Sequence, residues 1–227
     1  MGCLSEQWPG GKENSVETPV ESTRERLLNV AEQRFGEGGY EGTSLRAITV
    51  AAAANIAAVN YHFGSKEALL RAAVSRAMAP VNTERRRRLD QLEASGRPTQ
   101  EQLIRAFIEP GLELVMRRGE RGAVVARFIG RIAFDPSQRI RELYAAESDP
   151  IEKRYLAALQ AALPHATPEA VGFGYVNMLG LLALHQSQAL SRPSGIAPGV
   201  TVAEDPGRLA EDLIAFLVAA FDRGLRP

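Results

Sequence analysis

Apolar positions along this chain recur at helical spacing, and the two-residue alternation of a strand is hard to find. Leu27, Leu28, Ala31 and Phe35 share one face of a helix that opens near Ser22. Ser22 and Glu25 form an S-x-x-E pattern, in which two side chains cover two orphan backbone donors. "GEGGYEG" ends that helix, because glycine accepts the left-handed backbone of a helix stop. A short second helix follows Thr43 and Ser44, with Leu45, Ile48 and Ala52 facing inward. After a break near Ala53 and Ala54, Asn55 is a good N-cap for a third short helix. Ile56, Val59 and Phe63 mark its inner side, and Ala57, Ala58, Asn60 and Tyr61 its outer side. Ser65 caps a fourth, longer helix through Leu69, Leu70, Ala73, Val74 and Ala77.

Past Pro80 the pattern stays helical but turns charged, with the run Arg85–Arg88 read as a solvated face. Further helices are predicted over about 99–118, 120–134, 137–163, 168–191 and 206–224, with Pro110 kinking the first of these. A long Pro/Gly-rich loop precedes the last helix, and no repeat of 20–50 residues is present. The expectation is an all-α protein: a disordered tail at 1–20, a helix-turn-helix domain with its linking helix at 21–80, and a larger helical domain at 81–227 that carries regulation and dimerisation.

Bulk composition narrows the classes. At 227 residues and 45% hydrophobic content, the chain can build real cores. Lys+Arg and Asp+Glu both total 27, so anion binding must come from local placement rather than a basic coat. The single cysteine, Cys3, cannot form an internal disulfide, and no apolar stretch has signal-peptide or membrane-spanning character; a cytoplasmic protein is expected. His165 and His185 are isolated from other metal-ligating residues, so no metal is expected. "GFGYVN" at 172–177 imitates a dinucleotide glycine pattern, but no strand precedes it, and no cofactor is expected. No nucleophile–base pair can be assigned, which argues against an enzyme.

The stretch from Thr43 to Lys66 carries the chemistry. Two short helices around a tight turn, after a longer helix, are what a helix-turn-helix needs, and its second helix must expose one face to enter a major groove. Ala57 and Ala58 are small enough to bring the backbone close to base edges. Asn60 can pair bidentately with adenine. Tyr61 and His62 can hydrogen-bond phosphates, and Lys66 with the first amides of the fourth helix forms an anion site. Thr43, Ser44 and Arg46 open the second helix where a DNA backbone would pass, and Asn55 opens the third. From Thr43 to Arg76 four side chains are cationic (Arg46, Lys66, Arg71, Arg76) against one acidic, Glu67.

"AEQRFGEGGYEGTSLRAITVAAAANIAAVNYHFGSKEAL" resembles the DNA-binding domain of the tetracycline-repressor (TetR) family over residues 21 to about 75. The order of a first helix ending in Phe and glycines, then Tyr, Thr-Ser, the recognition helix and "YHFGSKEAL" is similar at fixed spacing. Two positions depart from the family's pattern: Ala53 where glycine is common, and Asn60 where an aromatic is common. The resemblance implies a ligand-responsive repressor that binds a near-palindromic DNA operator as a homodimer. The rival is an all-α ligand-binding protein or enzyme with a vestigial DNA-binding head. The resemblance also implies a dimer four-helix bundle from the last two helices. The small-residue stripe Gly172, Val176, Gly180, Ala183 and Ser187 suits close helix approach, and Leu213, Phe216, Leu217 and Ala220 lie on the broad apolar face of the last helix. Candidate pocket residues, chosen by position, are Phe107, Met116, Phe128, Phe134, Tyr144, Tyr175 and Met178. With few converging charges, they suggest a small apolar effector, lipid-like or an acyl thioester, and no membrane partner.

Overall fold

The computed structural model describes residues 21–186 and 205–224; the tail expected at 1–20 lies outside them. The described residues form α1 (Thr23–Gly38), α2 (Leu45–Ala51), α3 (Ile56–His62), α4 (Lys66–Ala94), α5 (Gln100–Ala133), α6 (Gln138–Ala162), α7 (Pro168–Gln186) and α8 (Pro206–Gly224). No strand occurs among them.

The short helices are held at their starts. The side chains of Ser22, Ser44, Asn55 and Ser65 each accept a hydrogen bond from the amide three residues on, at 2.9–3.2 Å, which satisfies donors that a helix start leaves open. The reciprocal half of the capping box at Ser22 is not what Glu25 does: its carboxylate pairs instead with Arg76 of α4 at 2.6 Å. A complete box forms at Thr99 and Gln102, at the start of α5.

Two cores result, and α4 runs through both. The first joins α1, α2, α3 and the early turns of α4 to the far half of α5 and the start of α6. Phe35 lies at its centre, fully buried, with Tyr40 stacked at 5.9 Å and Phe128 of α5 at 6.5 Å between ring centroids. The second core packs the end of α4 and the near half of α5 against α6, α7 and α8. Burying each large apolar side chain in these cores contributes about 1.5–3 kcal/mol.

The expected domain boundary at residue 80 therefore falls inside a continuous helix that contains Pro80. The helical path of α5 breaks at Gly119 (φ 52, ψ −136), between the two helices expected at 99–118 and 120–134, and Pro110 lies inside the first of them. Ile56, expected on the inner side of α3, is 49% exposed; Val59 alone anchors that helix as a fully buried residue. The run Arg85–Arg88 is not a uniformly solvated face. Arg85 is buried, and Arg88 reaches into a carboxylate cluster of Glu84, Glu109 and Glu113.

Candidate DNA-reading head and regulatory cavity

The turn between α2 and α3 is built by the backbone. Ala53 has φ 46, the one non-glycine residue with positive φ among the described residues. Its left-handed conformation reverses the chain in the few residues between Ala51 and Ile56. The turn is tied down by Ala54 N–H donating to the Thr49 carbonyl at 2.9 Å, and by Arg26 Nε of α1 donating to the Ala52 carbonyl at 3.1 Å. At the far end of α3, Gly64 (φ 83) donates to the carbonyls of Val59 and Asn60 and lets the chain turn into α4.

This clamps α3 between fixed ends with one face open. Ala57 and Asn60 are exposed, Ala58 is half-buried, and Tyr61 is 85% exposed. Asn55 is exposed, although its side-chain oxygen already accepts from Ala58 N–H. His62 is half-buried and edge-on to Tyr61, with ring centroids 5.0 Å apart. At the start of α2, Arg46 is exposed, and the Ser44 side chain caps the helix.

Thr43 departs from its expected position: it is buried, and its hydroxyl lies 2.9 Å from the Arg34 carbonyl and 2.8 Å from the Gly39 carbonyl, acceptors within the head. Lys66 also has an internal task. Its Nζ donates to the Tyr40 carbonyl at 2.6 Å and lies 4.1 Å from the centre of the Tyr40 ring. The basic face is thinner than the count of cations predicts, because Arg76 turns inward to Glu25 and Glu32 and Arg71 pairs with Glu67 at 3.5 Å. Arg46 and Arg71 are the exposed cations of the set, and Arg46 is the one that makes no ion pair among the described residues.

A cavity of about 210 Å³ opens between α4, α5, α6 and α7, where the two cores meet. Phe134 and Tyr144 line it, as expected of pocket residues. Phe107, Phe128, Tyr175 and Met178 are buried core residues away from its wall, and the Met116 side chain lies outside the described residues. Sequence reasoning missed Arg85 and Gln186, which also line it. Arg85 could have been found: Met78, Val81, Arg85 and Leu89 continue one buried stripe of α4 at i, i+3, i+7 and i+11. Among the described residues Arg85 is the one charged side chain in that wall, in keeping with a pocket of few converging charges.

Two family models match this chain: "Bacterial regulatory proteins, tetR family" over residues 27–73, and "Tetracyclin repressor-like, C-terminal domain" over residues 105–220, which alone spans half of the sequence. The chain belongs to the tetR family. Among curated relatives, the HTH-type transcriptional regulator UidR of Escherichia coli (strain K12) is 36% identical over 61 residues, 27% of this chain and 31% of that protein. The match therefore spans about a third of the relative's length. Among solved structures, the TetR family transcriptional regulator PfmR from Thermus thermophilus superposes with TM-score 0.59 at 21% identity, covering 92% of this chain and 100% of that one. SmeT, the repressor of the Stenotrophomonas maltophilia multidrug efflux pump SmeDEF, gives 0.57 at 25% identity, covering 88% of this chain and 90% of its own.

This TetR-family transcriptional regulator thus joins an N-terminal helix-turn-helix to a larger helical domain. The residues expected to form a dimer contact divide by position. Val176 and Ala220 are exposed, and Phe216 is 61% exposed. Gly172 and Gly180 are half-buried, and a Cβ added at either would meet open space. Leu213 and Leu217 are instead packed in the second core, and Ala183 is buried in the cavity wall. On a helix whose other face covers α5, the inward positions are used up within the chain. Ser187 lies outside the described residues. Phe173, which was not anticipated, is 70% exposed on the same helix as Val176.

Proposed function

We propose that this regulator is a ligand-responsive repressor that binds a near-palindromic operator as a homodimer in the cytoplasm, each α3 lying in a major groove. The carrying observation is the open face of α3: Ala57, Asn60 and Tyr61 stand exposed on a helix held by Asn55, Val59 and Gly64. In this reading Asn60 reads a base edge, Tyr61, His62, Ser44 and Arg46 meet phosphates, and Lys66 adds charge from behind its bond to Tyr40. The exposed apolar residues Phe173, Val176 and Phe216 on α7 and α8 support a second copy as the partner. Met78 and Val81 connect the cavity to α4, which starts directly behind the reading helix, so an occupant that displaces α4 re-aims the head. SmeT, whose fold this chain shares, is a repressor, which supports the direction of control.

Footprinting of the DNA upstream of its own and the neighbouring gene tests this. The expected result is two protected half-sites about one helical turn apart, with affinity falling steeply as salt rises. Binding with no preference for any fragment would refute the reading.

A further inference from the structure

The cavity wall carries a cation that makes no ion pair among the described residues, the Glu152 carboxyl acting on it only from beyond pairing distance. Arg85 is 2% exposed and lines the wall. Its Nε donates to the Phe107 carbonyl at 3.0 Å, and its guanidinium carbon sits 3.7 Å from the centre of the Phe107 ring. That bond uses one of the five N–H donors of the group. Among the described residues no carboxylate oxygen lies within 4.0 Å of the guanidinium. A buried charge left so is costly unless something pairs with it.

The polar atoms near Arg85 are short of partners too. Among the described residues Asn82 Oδ1, Glu152 Oε1 and the Tyr175 hydroxyl are buried without a hydrogen bond. Asn82 lies one turn before Arg85 on α4. Glu152, Tyr144 and Arg85 all act electrostatically on Tyr175, which puts the group in one neighbourhood. The Tyr144 hydroxyl, from the cavity wall itself, is held by no hydrogen bond among the described residues. Asn82, Glu152 and Tyr175 do not line the cavity themselves; the polar groups of its wall are Arg85, Tyr144 and Gln186, and the last is bonded to the Gly111 carbonyl. The rest of the wall is largely apolar, with Met78, Val81, Ile129, Leu179 and Leu182.

We propose that this cavity binds a small monocarboxylic acid, aryl or short-chain alkyl, whose carboxylate takes the open fork of Arg85 with help from the Tyr144 hydroxyl, while its carbon body lies against the apolar wall. This rests on the reading of the C-terminal domain as the effector domain. The fork geometry of a guanidinium matches the two oxygens of a carboxylate. An amine is repelled by the same charge, and a neutral molecule leaves the fork unpaired. A dianionic phosphate is disfavoured, because a single guanidinium faces it and the Glu152 carboxyl lies nearby. Size also decides. A cavity of roughly 150 Å³ holds benzene, so 210 Å³ suits about eight to ten non-hydrogen atoms. A long acyl chain does not fit.

Calorimetric titration and thermal melting of the full chain with benzoate, phenylacetate and hexanoate test this, against benzamide, phenylacetamide, hexanamide and benzylamine. At least one acid is expected to bind saturably and roughly tenfold more tightly than its amide, with no binding of benzylamine. Arg85→Met should bring the acid down to the affinity of the amide. Arg85 also holds the Phe107 carbonyl, so a second variant guards against loss of the fold: Tyr144→Phe should lower acid affinity roughly threefold with amide affinity unchanged. Amides binding as well as acids, a preference for the amine, or no saturable acid binding would each overturn the proposal. Operator binding by the ligand-free protein is measured separately: its loss would sink the regulator reading and leave the chemistry of the cavity standing.

Discussion

Arg76 of α4 donates from Nε to the carboxylate of Glu32 on α1 at 2.8 Å, and Glu32 is completely buried. Arg121 of α5 pairs with the other oxygen of the same carboxylate. One acidic side chain therefore ties the reading head to both the linking helix and the regulatory domain. Deleting Glu32 leaves two arginines that water partly reaches, and Arg76 keeps Glu25 and Asn29, so the loss is that of the charge-assisted hydrogen bonds rather than of a stranded core charge. Glu32→Ala should cost about 2–3 kcal/mol in urea unfolding. Arg121→Met should cost clearly less, because Arg121 is more than a third exposed and Arg76 stays in place. Equal losses for the two variants would mean that the carboxylate is not the hub.

Ala53 occupies the left-handed region at φ 46, where a Cβ crowds the neighbouring carbonyl at a cost on the order of 1 kcal/mol. Ala53→Gly relieves that crowding. Glycine also raises the entropy of the unfolded chain, which offsets part of the gain. The expected outcome is a small rise in melting temperature with operator affinity kept or improved. A clear fall would show that the strain at φ 46 is smaller than the entropy that glycine returns to the unfolded chain.

Most of the head was legible because its signals are local. Ser22, Ser44, Asn55 and Ser65 cap the helices they were expected to cap, and the left-handed residue lies at Ala53. Long-range packing was not legible. Thr43, Lys66 and Arg76 read as DNA-facing polar groups, and each is spent on a partner brought close by the fold: the Gly39 carbonyl, the Tyr40 carbonyl and Glu32. Arg85 was hidden for a related reason. A run of four arginines looks like a solvated face, and the helical phase that buries one of them shows only beside Val81 and Leu89. On α8, Leu213 and Phe216 belong to one apolar pattern, yet the second core covers the first and leaves the second open.

At the DNA surface the outcomes should separate by chemistry. Asn60→Ala should blur preference at one base position, at a cost of about 1–3 kcal/mol there. Arg46→Ala should weaken all duplexes alike and lower the salt slope by about 1. Lys66→Ala should lower thermal stability as well, since it removes the bond to the Tyr40 carbonyl. Titrations on matched and scrambled duplexes over a salt series, with a melting curve for each variant, distinguish the three.

Phe216 and Val176 are large, apolar and exposed. Phe216→Glu should convert the proposed dimer into a folded monomer by light scattering and weaken operator binding, because two half-sites are no longer engaged together. Leu213→Ala should act differently, reducing stability by about 2–5 kcal/mol as a core truncation. A dimer unaffected by Phe216→Glu would place the interface elsewhere.

Glu152 stands half-buried on α6. Burial raises its carboxyl above the ordinary 4.5, and Asp149 adds to the rise; the neighbouring Ser148 hydroxyl and the Arg85 charge act the other way. Its Oε1 accepts nothing. A carboxyl that holds its proton more tightly when folded favours the folded state fully below the unfolded value, and that contribution is lost as pH rises through the folded value. At neutral pH, Glu152 thus weakens the fold relative to a neutral isostere. Glu152→Gln keeps a carbonyl for Ser148 and removes the titration. Its melting temperature should match that of the wild type near pH 4 and exceed it increasingly as pH rises toward 7. A constant difference across that range would show that folding leaves the carboxyl's hold on its proton unchanged, and one that shrinks with rising pH would show that Arg85 stabilises Glu152 as the anion in the folded protein.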